Sequence, residues 1–134
     1  MAQYLQRNTV QCELVLNAVR SLCNHPTPEQ VYAYISKMHP SVSRSTVYRN
    51  LDKLCESGQL LRIPVAQGAF HVDHTIKPHY HLACTECGNV CDVETDEIGD
   101  LTKKITNANG CLVTDYYLVF NGLCPECNKI KGKR

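Results

Sequence analysis

Two Cys-x-x-Cys pairs, Cys84/Cys87 and Cys124/Cys127, constrain this chain more than any other feature, because folding must bring them together from opposite ends of its second half. Each pair turns two sulfurs inward. Four thiolates at that spacing suit a closed tetrahedral Zn2+ site, since zinc imposes no geometry of its own. Such an ion would clamp the last segment onto the start of the second unit, which is a structural role.

The redox reading agrees. Nine cysteines are an odd number for a disulfide framework, and the opening Met1-Ala2-Gln3 shows no basic start followed by a long apolar run. No stretch approaches the roughly 18 apolar residues of a spanning helix. The expectation is a cytoplasmic chain without a membrane partner, in which this spacing binds metal. Cys12, Cys23, Cys55, Cys91 and Cys111 read as small buried hydrophobes.

At 134 residues and 43% hydrophobic content the chain has room for two modest cores. Small units of that size call for a staple, which the CxxC pairs supply to the second half only; the first must rely on helix packing.

Leu14, Val15, Ala18, Val19 and Leu22 recur at helical spacing, so residues 10–23 read as an amphipathic helix ended by Asn24-His25-Pro26. A second helix follows at Thr27, with Pro28 in its first turn, Gln30 completing a capping box, and Val31, Tyr34, Ile35 and Met38 on one face. His39-Pro40 stops it. Ser43 caps a third helix whose apolar face is Val47, Leu51 and Leu54, with Gly58 closing it. Leu60–Val65 and Ala69–Asp73 form a hairpin turning at Ala66-Gln67-Gly68. Three helices and a hairpin make a winged helix-turn-helix.

The second unit reads as extended runs His79–Ala83 and Val90–Val93, a helix over 96–108 carrying Ile98, Leu101 and Ile105, and a strand over Leu112–Phe120. The class is therefore α+β: a winged helix over 1–74, a hinge at 75–78, and a small α/β domain over 79–134.

The net charge of +1 is too low for a protein that coats nucleic acid indiscriminately, but its distribution leaves room for a local basic face. Residues 1–74 carry seven Lys/Arg against five Asp/Glu, whereas 75–134 carry seven against eight. At the start of the third helix Arg44, Ser45, Thr46, Tyr48, Arg49 and Asn50 offer hydroxyls, an amide and guanidinia for phosphates or guanine edges, with Tyr48 able to meet a thymine methyl. A solvated surface helix would carry similar residues.

Histidine nitrogens with carboxylate oxygens suit an exchangeable Fe2+, Mn2+ or Zn2+. In His79-Tyr80-His81, strand alternation puts both imidazoles on one side. Asp92 in the neighbouring run and Asp73 at the end of the wing can join them if the hinge folds back, with His25 as the ligand from the front unit. His39, His71 and His74 read as surface or internally satisfied residues.

These motifs, His25-Pro26-Thr27, Ser45-Thr46-Val47-Tyr48-Arg49-Asn50-Leu51, His79-Tyr80-His81-x-x-Cys84-x-x-Cys87-Gly88 and Cys124-x-x-Cys127, resemble the ferric uptake regulator (Fur) family of metal-dependent repressors along nearly the whole chain. The resemblance implies a DNA-binding winged helix, a rear unit that dimerises, and a structural zinc on Cys84, Cys87, Cys124 and Cys127. It also implies the regulatory site of the peroxide-stress branch, whose three histidines and two aspartates fall on His25, Asp73, His79, His81 and Asp92. Iron-uptake members look like they use glutamate where Asp92 stands, and Pro78 and Tyr80 occupy positions where their additional site needs ligands. The resemblance departs at Thr9-Val10-Gln11-Cys12, where the family has Thr-x-Gln-Arg, so the resemblance no longer implies the phosphate contact expected of that arginine; Arg7 is the only early cation.

The reading is a homodimeric, non-enzymatic repressor of double-stranded operator DNA, with Zn2+ as structural ion and Fe2+ or Mn2+ (Zn2+ as a further option) as regulatory ion, sensing peroxide. Alternatives are an iron- or zinc-supply regulator of the same fold, which keeps all five ligands, and a thiol switch in which the cysteines oxidise and expel zinc. An enzyme is disfavoured, since five protein ligands leave little room for substrate.

Overall fold

The computed structural model describes residues 2–66, 68–77 and 79–132, and within the first helix the side chains from residue 10 onward. Gln67 of the expected turn, Pro78 of the expected hinge and the side chain of Arg7 lie outside the described residues. The chain divides into two compact units, Met1–Lys77 and Pro78–Arg134.

In the first unit α1 (Ala2–Leu22), α2 (Pro28–Met38) and α3 (Arg44–Glu56) precede an antiparallel hairpin of β1 (Leu61–Ile63) and β2 (His71–Asp73), with Leu61 opposite Asp73. The helix α1 starts eight residues before the expected residue 10 because nothing in residues 2–9, which lack Gly and Pro, opposes the helix. The capping box of α2 forms as read: Gln30 N–H donates to Thr27 Oγ1 (3.2 Å) and Thr27 N–H to Gln30 Oε1 (2.9 Å), behind Pro28. Ser43 Oγ likewise accepts from the Thr46 N–H at the start of α3 (3.2 Å). Val15, Ala18 and Val19 meet Val31, Ile35, Val47, Leu51 and Leu54 in one core that Leu60 and Val72 close. Helical spacing put each apolar set on a single face, so three stripes meet and exclude water. Met38, expected on that face, is exposed at the end of α2.

The second unit is a mixed three-stranded sheet in the order β4-β3-β5, from β3 (Tyr80–Cys84), β4 (Val90–Val93) and β5 (Val119–Gly122), followed by α4 (Pro125–Gly132). β4 runs antiparallel to β3 and β5 parallel to it. A parallel neighbour requires a crossover, and residues 94–118 supply it. Gly122 packs closely on the neighbouring strand: a Cβ at that position would stand 3.1 Å from Leu82 Cδ1, so the leucine would have to shift to admit it.

Two expectations are corrected in the crossover. The helix over 96–108 is only a 3-10 turn, Leu101–Lys104. Gly99 adopts φ +78°, a left-handed conformation that breaks a helix, and with Ile98 and Leu101 only half-buried and Ile105 exposed the stripe lacks the packing that sustains a short helix. The strand over Leu112–Phe120 begins only at Val119, because residues 112–118 have no strand beside them among the described residues. The helix α4 was not anticipated. None of the five non-paired cysteines is fully buried: Cys12, Cys55 and Cys91 are half-buried, Cys23 and Cys111 exposed.

Candidate metal sites and recognition helix

Cys84 ends β3, and the turn after it is closed by hydrogen bonds from Gly88 N–H to Cys84 O (3.0 Å) and from Cys84 N–H to Asn89 O (2.8 Å). Gly88 takes φ +80°, a left-handed conformation that favours glycine, which lets the chain double back to bring Cys87 beside Cys84. From the other side β5 delivers Cys124 to the start of α4, where Pro125 opens the helix and its first turn presents Cys127. The four Sγ atoms lie within 4.8 Å of one another, with Cys87 and Cys124 Sγ 3.7 Å apart. Disulfide sulfurs would be about 2.05 Å apart; sulfurs each about 2.3 Å from a tetrahedral zinc stand about 3.8 Å apart. The donor set and spacing fit Zn2+.

The titration of the thiols points the same way. Backbone N–H groups of Cys87 and Cys124 lower the Cys84 thiol to about 6, while hydrogen bonding to Cys124, with burial, pushes Cys127 up to about 12. Four sulfurs this close cannot all be anionic without a cation among them. Lys131 Nζ meets Glu86 Oε1 at 2.6 Å, an exposed pair joining α4 to the first cysteine turn.

The histidines and aspartates form a group in each unit. In the first, His25 sits in the loop after α1 with φ +52°, and the loop is pinned to β2 by Val72 N–H donating to Pro26 O (2.9 Å) and by His71 Nδ1 on His25 O (2.7 Å). That pinning sets His25 Nε2 3.2 Å from Asp73 Oδ2, with both side chains largely buried. Asp73 Oδ1 accepts from Thr75 N–H (2.9 Å). His71 is thus internally satisfied, as read.

In the second unit, register places His81 opposite Asp92, and alternation carries His79 to the same side. Both Nε2 atoms converge on Asp92 Oδ1, at 3.3 Å from His79 and 3.5 Å from His81, with the two rings 4.3 Å apart. Neighbouring ligands about 2.1 Å from an octahedral or tetrahedral ion stand roughly 3.0–3.5 Å apart. The spacing in each group suits ligands of a hard or borderline cation.

On α3 the six candidate DNA residues separate. Arg49 is exposed, and has no hydrogen-bond or ion-pair partner among the described residues. Ser45 and Thr46 hydroxyls engage Ser43 Oγ at 3.2 and 2.8 Å. Arg44 donates from Nε and Nη2 to the two oxygens of Glu29 (3.1 and 2.9 Å), its guanidinium 4.6 Å from the centre of the Tyr32 ring; Tyr48 OH donates to Glu29 Oε2 (3.0 Å). Arg44 first, then Tyr48, hold the Glu29 carboxyl below the usual 4.5.

Asn50 does not belong with them. It is fully buried, its Nδ2 donating to Thr46 O (2.8 Å) and its Oδ1 accepting from Cys12 Sγ (2.9 Å). It ties α3 to α1 through Cys12. Glu29 was missed because its contact with Arg44 crosses from one helix to another, which no local pattern records.

A helix-turn-helix with a two-stranded wing, followed by a sheet unit holding clustered thiols, defines a small metal-holding protein of regulator type. The chain belongs to the ferric uptake regulator family, whose model matches residues 5–121. It is 29% identical over 124 residues to the peroxide-responsive repressor PerR of Staphylococcus saprophyticus, covering 90% of this chain and 82% of that protein. It is 28% identical to the peroxide operon regulator of Bacillus subtilis over 123 residues, 92% of this chain and 85% of the relative. Among solved structures, the Campylobacter jejuni peroxide stress regulator superposes with a TM-score of 0.72 at 29% identity, over 94% of this chain and 95% of that one. No helix among the described residues is long and apolar enough to cross a membrane.

Proposed function

We propose that this chain is a cytoplasmic, homodimeric, metal-dependent repressor that binds operator DNA through α3 and its wing and releases it in response to peroxide. Cys84, Cys87, Cys124 and Cys127 would hold a structural Zn2+. His25, Asp73, His79, His81 and Asp92 would together hold one Fe2+ or Mn2+, with Zn2+ as a further option. On this reading residues 1–74 form the DNA-binding domain, 75–78 the hinge and 79–134 the dimerising domain.

The observation that carries the reading is the ligand set: a His/Asp pair at 3.2 Å ends the first unit, and two histidines on one aspartate at 3.3 and 3.5 Å open the second. An ion drawing on both groups would set the angle between the units, and so between the two α3 helices of a dimer. A dimer lacking it spreads over many geometries, and its affinity falls by the fraction that remains competent. The exposed large apolar side chains Leu112, Val113, Tyr117 and Phe120 of the second unit support dimerisation, since a partner would take them out of water. An iron ion held by His25, Asp73, His79, His81 and Asp92 would supply reductive cleavage of hydrogen peroxide, with net transfer of one oxygen atom to a ligand imidazole and release of the other as water, the electron lent by Fe2+ being returned as the ring is oxidised; Mn2+ would do so poorly. An imidazole so altered is a poorer ligand, and the operator is released.

Asp92→Ala tests this. The variant should retain its cysteine-bound zinc and dimeric mass, yet show no gain in DNA affinity when Mn2+ is added. Manganese-stimulated binding equal to wild type would remove Asp92 from the site and defeat the proposed ligand set.

A further inference from the structure

Three hydrogen bonds converge on one carboxylate of α2 that the sequence reading did not single out. Glu29 takes Arg44 side-on, through Nε and Nη2, and the Tyr48 hydroxyl shares Oε2. Tyr32 flanks the guanidinium at 4.6 Å. The side-on fork uses one edge of the guanidinium and leaves the end-on edge, Nη1 with the second Nη2 proton, with no partner among the described residues. Arg44 is the first residue of α3, and its side chain is 56% exposed.

This is a poor arrangement for gripping phosphate and a good one for reading a base. Phosphate affinity depends on net positive charge, which Glu29 cancels and whose own charge repels the DNA backbone. A guanine edge is neutral and offers two acceptors, O6 and N7, to a fork held in one plane, so direction matters more than charge. Arg49, with no acidic partner among the described residues, is the contrasting case on the same helix.

We propose that Glu29 is a positioning residue for sequence recognition: it holds Arg44 so that the outer edge of its guanidinium reads one guanine of the operator, and it fixes Tyr48 beside it. The inference rests on the DNA-binding reading above. Removing the clamp frees several torsions of Arg44, so discrimination at that guanine falls while affinity for unrelated DNA holds or rises slightly.

The experiment selects binding sites from a pool of random-sequence duplexes with manganese-loaded wild type, Glu29→Gln, Arg44→Ala and the double variant, and then titrates each protein against the recovered wild-type site and its single base-pair changes. Wild type should recover a sequence with an invariant G·C pair that Glu29→Gln recognises about tenfold less selectively, a loss within the usual worth of a bidentate contact. Arg44→Ala should lose the same position, and adding Glu29→Gln to it should change nothing further there. A general destabilisation would weaken every position alike.

Two results overturn the inference alone: an unchanged consensus for Glu29→Gln, or equally tighter binding to cognate and unrelated DNA, which would make Glu29 a competitor of phosphate for Arg44. A wild type that recovers no sequence at all refutes the DNA-binding reading and the inference with it.

Discussion

Replacing Cys84 by Ser should unfold the second unit and leave the first standing. Among the described residues the second unit fully buries only Ala83 and Val90 besides Cys84, Cys124 and His81, whereas the first has a ten-residue apolar core. Complete burial of one valine contributes about 1.5–3 kcal/mol, so the two aliphatic side chains supply only a few kcal/mol against the cost of ordering three strands. Zinc bound by four thiolates contributes about 10–16 kcal/mol, more than a small unit's whole stability. Serine keeps the shape but is a weak zinc ligand, and the ion's remaining three sulfurs are then left close together and poorly neutralised. Hydrogen exchange read by mass spectrometry, beside zinc quantification, checks this. Amides of β3, β4 and β5 should exchange at near-unfolded rates in Cys84→Ser while those of α1–α3 stay protected. A zinc-free variant whose β3 amides remain as protected as in wild type would refute the argument that the metal supplies this unit's stability.

Other outcomes follow from the same geometry. Leu51→Ala empties the centre of the helical core and should cost about 2–5 kcal/mol, read as a lower denaturant midpoint for the first unit with zinc content unchanged. Arg49→Ala should weaken operator binding in both metal states and lower the salt slope by about 0.9, the value of one lost phosphate contact; equal slopes would take Arg49 off the backbone. Because Arg44 holds the Glu29 carboxyl below 4.5, the clamp's stability is present above that value and is lost as pH falls through the lower folded value. Melting temperatures of wild type and Glu29→Gln should therefore differ at neutral pH and converge in acid. Convergence absent at low pH would show that the carboxylate charge is not what Glu29 contributes.

Local chemistry made much of this structure legible before any coordinates. Thr27, Pro28 and Gln30 fix the start of α2 through bonds made within one turn, and alternation alone puts His79 and His81 on one side of β3. The opposition of His81 and Asp92 is a register, which the short cysteine turn enforces. What failed depended on partners distant in sequence. The 96–108 stripe has helical period but is only half-buried at Ile98 and Leu101 and exposed at Ile105, and residues 112–118 have strand composition but no neighbouring strand among the described residues. Asn50 looked like its exposed neighbours because a helix surface and its buried face differ only by what packs there, here Cys12. The start of α4 was marked by Pro125 and Glu126 and its end by Lys129 and Lys131, signals hidden by reading Cys124-x-x-Cys127 only as a metal turn.

The measurement closest to the central claim is intact and peptide mass spectrometry of iron-loaded and manganese-loaded protein before and after hydrogen peroxide, with operator binding followed on the same samples. The account predicts one added oxygen on a peptide containing His25 or His79, only with iron, and loss of DNA binding in step with it. Oxidation confined to cysteines with zinc release would make the protein a thiol switch, and DNA binding that ignores peroxide in the iron-loaded state would contradict peroxide sensing and leave a regulator of metal supply.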